Sequence, residues 1–195
     1  MKKLAATLCK SIAVLATTWG CAHAGVLTFY TTFAPEGGGT RTGSGNAVVM
    51  FDDATNILSF TATFAGLSSG TTVAHFHCCT PAAFSGTGGV AVDAPSLAVP
   101  VGVTAGTWSE ALDLDLIGNW SPAFINASGG TTTGATARFL QNIYANKVYL
   151  NIHTSGNPGG EIRGFLVPEP ATAALTLLAL AGMVAVGRRR QRAAA

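Results

Sequence analysis

Between Ile57 and Phe64 the chain alternates without a break. Leu58, Phe60, Ala62 and Phe64 are apolar, while Ser59, Thr61 and Thr63 carry hydroxyls. A period of two places the apolar set on one face of a strand and the hydroxyls on the other. A helix would scatter these apolar residues around its circumference, so the segment reads as a half-buried strand. A strand of this kind needs a second layer over its apolar face. The same pattern recurs. Val26 to Phe33, Ala47 to Phe51, Val73 to His77 and Thr107 to Leu116 all read as strands. Val148, Leu150 and Ile152 alternate with Tyr149, Asn151 and His153, and a final strand is expected over Glu161 to Val167. Asp52 to Asn56 is a short polar turn that makes a hairpin of its flanking strands. Glu110 and Ala111 interrupt the parity of their strand, which points to a bulge or register change. Residues 82–106 are rich in Gly, Pro and Ala and are expected to be mostly loop.

Two short helices are expected. Ala137, Leu140 and Tyr144 fall at helical spacing, with Phe139 and Ile143 beside them. Ser121 is placed as an N-cap before Pro122 at the first helical position. Seven or eight short strands with one or two small helices predict an all-β chain, an antiparallel β-sandwich.

Both ends read as sorting signals rather than as part of this fold. Lys2 and Lys3 precede an apolar run from Ile12 to Trp19, and Ala22-His23-Ala24 supplies a small-residue cleavage site. Residues 1–24 are therefore expected to be a signal peptide. Lipidation at Cys21 is a poor alternative, because bulky Trp19 stands two residues before it. At the other end, Pro168-Glu169-Pro170 precedes an apolar stretch, Ala171 to Val186, and then Arg188, Arg189, Arg190 and Arg192. Sixteen helical residues rise ~24 Å, short of the roughly 30 Å hydrocarbon core. This order resembles the PEP-CTERM sorting signal of bacterial exported proteins. The resemblance implies recognition by an exosortase-type membrane protease, loss of the tail and release to the cell surface or matrix. Residues 25–167 are left as the working domain and 168–195 as the sorting signal.

The division changes the charge. The whole chain has a formal net charge of +2, but residues 25–167 keep four basic residues against eight acidic ones, a net of −4. No basic patch remains to attract a nucleic acid.

Within the domain, Val148 to Thr154 followed by Pro158-Gly159-Gly160-Glu161-Ile162-Arg163-Gly164 resembles the C-terminal signature of the chordin-type (CHRD) domain. Ala74-His75-Phe76-His77 resembles that family's Ala-His-x-His strand, and Leu58-Ser59-Phe60 before Gly66-Leu67 fits its first hairpin. Phe165 departs from the family's frequent Gln, and Cys78-Cys79 is not a general feature. The resemblance implies a β-sandwich domain of extracellular proteins. The growth-factor partners of its animal members do not carry over to a bacterial exported chain.

The chemistry available is narrow. His75 and His77 lie two apart on one strand and so share a face. His153 lies on the face of its strand opposite Val148, Leu150 and Ile152. If those strands meet, three imidazoles converge, a donor set suited to Cu or Zn. Three histidines exclude a full dismutase-type bimetal site, which needs six. Met50 is the only methionine of the domain, which does not match a blue-copper loop. Cys78 and Cys79 are the only cysteines left after processing, and three states are open to them: a vicinal disulfide, an intermolecular bridge, or thiol ligands beside His75 and His77. Glu161 and Arg163 share a face and are expected to form a structural ion pair. Gly66-Leu67-Ser68-Ser69-Gly70 spells G-x-S-x-G but lies between two expected strands rather than on a strand-to-helix elbow, and no H-E-x-x-H pattern is present, so no catalytic residues are assigned.

The first expectation is a non-catalytic exported protein of the bacterial surface or extracellular matrix. Its partners would be signal peptidase and exosortase during export, then extracellular polysaccharide or surface proteins. It would touch the membrane through its C-terminal segment before processing. A second is a Cu- or Zn-binding or redox-active extracytoplasmic protein. A third is a permanently anchored envelope protein.

Overall fold

The computed structural model describes residues 25–37, 41–93 and 97–169. The proposed signal peptide lies outside the described residues, as do Pro170, the apolar C-terminal segment and Arg188, Arg189 and Arg190. Among the described residues no helix is long and apolar enough to cross a membrane.

The strands are β1 (Val26–Pro35), β2 (Ser44–Asp52), β3 (Ile57–Ala65), β4 (Thr71–Cys78), β5 (Gly89–Val92), β6 (Gly106–Asp113), β7 (Tyr149–Thr154), β8 (Ile162–Phe165) and β9 (Val167–Pro168). Two helices, α1 (Pro122–Ala127) and α2 (Thr132–Tyr144), lie between β6 and β7. The strand order is β5-β4-β7-β8-β1-β2-β3-β6, with β9 paired to β1, and every pairing is antiparallel.

The expected sandwich is built from one curled sheet. Strand β1 is the fold line. Val26 to Phe33 pair with β2, while Ala34 and Pro35 pair with β8. The two halves then close on each other. Phe60 of β3 meets Phe76 of β4 edge to face, with ring centroids 5.5 Å apart. Phe29, Phe33, Val49, Leu58, Phe64, Leu150 and Ile152 fill the space between, all at most 1% exposed. These are the alternating apolar positions of the sequence, buried for the reason the period gave.

Several expectations need correcting. The register of β3 with β6 runs unbroken from Ile57↔Asp113 to Phe64↔Gly106, so there is no bulge at Glu110. Glu110 instead points inward between Trp108 and Leu112 at the sheet edge, and burial pushes its carboxyl above the ordinary range. The described part of residues 82–106 is mostly loop, as expected, interrupted by β5, which pairs with β4. In α2 the buried face is Ala135, Thr136, Phe139 and Ile143, whereas Tyr144 is 53% exposed. The helix docks through Phe139, which contacts Phe76 and Trp120, and this rotates the expected face by part of a turn. Thr131 caps α2 by accepting the Gly134 N–H, and at α1 Ser121 stands at the N-cap with Pro122 opening the helix, as expected, although the Ser121 side chain makes no capping bond.

Candidate metal centre

The outer face of the β4–β7–β8 region carries the polar residues. In the β4–β7 pair, His75 stands opposite Asn151, His77 opposite Tyr149, and His153 opposite Val73. His153 is thus diagonal to His75, within reach of a long side chain. This pairing brings the three imidazoles together. One ring nitrogen from each lies within 4.8 Å of the others. His75 Nδ1 and His153 Nε2 are 3.3 Å apart.

The outward side of each ring is held by an oxygen. His77 Nδ1 is 3.0 Å from the Gly88 carbonyl, and His153 Nδ1 is 2.9 Å from the Pro158 carbonyl. His75 Nε2 is 3.2 Å from Asp93 Oδ1. A carbonyl only accepts, and an ionised carboxylate only accepts, so each of these nitrogens must carry the hydrogen. In a neutral ring the other nitrogen then bears a lone pair. Those nitrogens are His75 Nδ1, His77 Nε2 and His153 Nε2, the atoms that converge. His77 Nε2 is buried without a hydrogen-bond partner.

Burial lowers His75, and the neighbouring His153 lowers it further against the opposing pull of Asp93. Burial also drives His77 down to about 4. Both rings are therefore neutral at neutral pH. Facing lone pairs at 3.3 Å repel unless a cation or a proton stands between them. A tetrahedral Zn with bonds of about 2.0–2.1 Å spaces its nitrogens at roughly 3.3 Å. The His75–His153 pair already has that spacing, and the wider separations within the cluster must contract to reach it. Ring nitrogens backed by a carboxylate and by backbone carbonyls are the usual second layer of a histidine metal site. The residues present fit the group.

Around the cluster the packing is aromatic and charged. Tyr149 stacks on His77 with centroids 4.9 Å apart and planes 1° from parallel. Arg163 lies over Tyr149 at 4.8 Å and pairs with Glu36 at 3.1 Å. The expected Glu161–Arg163 pair does not form: Arg163 pairs with Glu36 instead, and Glu161 is fully buried among other partners. There it accepts from the Thr154 hydroxyl and from the Ser68 and Thr42 backbone N–H groups.

Cys78 and Cys79 are joined in a disulfide, and the peptide between them is cis. Their Cα atoms are 3.0 Å apart. The sulfurs are therefore not among the converging donors, which are all imidazole.

Sequence reasoning placed the three histidines but missed Asp93, Gly88 and Pro158. Two of these act through the backbone carbonyl, which leaves no residue-type signal. Pro158 lies in the Gly/Pro turn that marks the C-terminal signature, and that turn carries its carbonyl to His153. Of the sorting motif, Pro168 pairs with Phe29 in β9, and the Glu169 N–H donates to the Thr28 carbonyl at 3.0 Å. The last rung of the sheet is thus the first residue of the motif.

Fold and site together define an antiparallel β-domain with a histidine cluster on the face of β4 and β7 opposite the core. The CHRD domain family model matches residues 29–166, and the chain belongs to that family. A PEP-CTERM protein-sorting motif matches residues 166–191, which marks the protein as exported and processed by an exosortase. No curated protein and no solved structure matches the chain.

Proposed function

We propose that this protein is a non-catalytic metal-binding module, delivered to the bacterial surface or its surroundings, whose centre is His75, His77 and His153 and whose metal is Cu or Zn. The observation that carries the reading is the convergence of three ring nitrogens, each with its opposite nitrogen donating to an oxygen. Three imidazoles without a thiolate or an inward carboxylate suit both Zn and Cu(II). The core closes without the site, since Phe76, Leu150 and Ile152 are wholly buried on the opposite face of the same strands. Metal is therefore held on a finished scaffold and is exchangeable.

Titration of the purified exported protein with Zn(II) and with Cu(II) tests this. One equivalent should bind, and His77→Ala or His153→Ala should abolish binding while leaving the far-ultraviolet circular dichroism unchanged. Asp93→Ala should weaken binding by about 10–100-fold, the usual effect of removing an outer hydrogen-bond partner. An absence of stoichiometric binding of either ion ends the proposal.

A further inference from the structure

We infer that the Cys78–Cys79 disulfide is a thiol-exchange site that sets the affinity of the histidine centre, an inference that rests on the metal-binding reading above. The link is Gly88. Its carbonyl orients His77 through Nδ1, and its N–H lies 3.3 Å from the hydroxyl of Tyr149, the ring stacked on His77. The same glycine is seated on the backbone of the cysteine pair. A Cβ added to Gly88 would come within 2.8 Å of the Cys78 carbonyl carbon and 3.0 Å of the Cys79 nitrogen. The segment from Cys79 to Gly88 is closed at its root, because Cys78 pairs with Gly89 and His77 with Val90. One residue therefore touches the cysteine backbone on one side and fixes a metal-facing imidazole on the other.

The chemistry balances as ordinary exchange. A thiolate of a small dithiol attacks the sulfur of Cys79, the less buried of the two residues, and Cys78 leaves as a thiolate that takes a proton. The second thiol of the reductant then displaces Cys79, so two cysteines are reduced and the dithiol becomes a disulfide. Two thiols are no longer bonded and must move apart to van der Waals separation. Cys78 is 5% exposed and packed in the core. The movement therefore falls on Cys79 and the backbone beneath Gly88. His77 then loses the acceptor that fixes its hydrogen on Nδ1, and its Nε2 lone pair is no longer aimed at the cluster.

The Zn(II) affinity of the exported protein, measured by competition with a chromogenic chelator, should fall at least about tenfold after reduction by a phosphine, the scale set by losing an outer partner. Reoxidation should restore it, and alkylation with mass measurement should count two thiols in the weak state and none in the tight one. Gly88→Ala should weaken Zn(II) binding with the disulfide intact, and the double variant Cys78→Ser, Cys79→Ser should bind as the reduced protein does. Equal affinity in both states overturns the coupling while leaving the metal site standing. Tighter binding after reduction overturns it too, as the sign of a thiolate ligand. Failure of the oxidised protein to bind Zn(II) or Cu(II) removes both readings.

Discussion

At the scale of single residues, Glu161 shows how a buried charge is kept. Burial by itself would raise its carboxyl. The Thr154 hydroxyl, then the backbone and side chain of Ser68, and the Thr42 N–H together hold it below the ordinary value. A depressed folded-state pKa adds stability that is fully present above the unfolded value near 4.5 and is lost as pH falls through the folded one. Glu161→Gln should therefore cost about 1.5–3 kcal/mol at pH 7, the range for hydrogen bonds to a charged group. Urea denaturation of both proteins across pH checks this, and the gap between them should narrow below about pH 4. A constant gap would mean that the loss comes from packing. Neither Ser68 nor Thr42 could be paired with Glu161 from the sequence, because they lie 93 and 119 residues away along the chain.

At the scale of elements, the alternation of Leu58 to Phe64 was enough to give β3 its two faces. The pattern of α2 was enough to give a helix but not its buried face. A strand in a sheet has only two sides, so parity decides burial. A helix can rotate about its axis, and only the surface it lands on selects the stripe. Here that surface is Phe76 and Trp120, which receive Phe139. Phe139→Ala should cost about 3–5 kcal/mol, measured as a lowered urea midpoint. It should also leave the metal titration of the folded protein intact, because Phe76 and His77 face opposite sides of β4. The expected bulge at Glu110 failed for a related reason. The unbroken β3–β6 register outweighs one unfavourable side chain at an edge, and Glu110 turns inward rather than break the ladder.

At the scale of the whole molecule, the domain and its sorting motif are joined without a spacer. Strand β9 ends at Pro168, inside the motif, and the Glu169 N–H is still bonded to β1. The proposed order of events is removal of residues 1–24, folding, and then cleavage close after the domain. Intact-mass analysis of the exported protein should give a chain beginning at Gly25 and ending shortly beyond Glu169, with two hydrogens fewer than the reduced mass. A chain ending at Ala195 would instead support a permanently anchored protein. Such processing would turn the formal charge from +2 to −5, since Glu169 stays with the domain, and leave no general attraction for polyanions.

The sequence by itself determined what is local. Period-two alternation set the strands and their inner faces, the C-terminal order of Pro-Glu-Pro, apolar stretch and arginines set the sorting motif, and His75-x-His77 set two imidazoles on one side of one strand. Only the tertiary structure decided what depends on register. It put His153 diagonal to His75, brought Asp93 and the Gly88 and Pro158 carbonyls behind the three rings, and seated Gly88 on the cysteine pair. These are contacts between segments up to 78 residues apart, several of them through backbone atoms that every residue carries. No residue type marks such an atom in advance, so pairing geometry alone selects it.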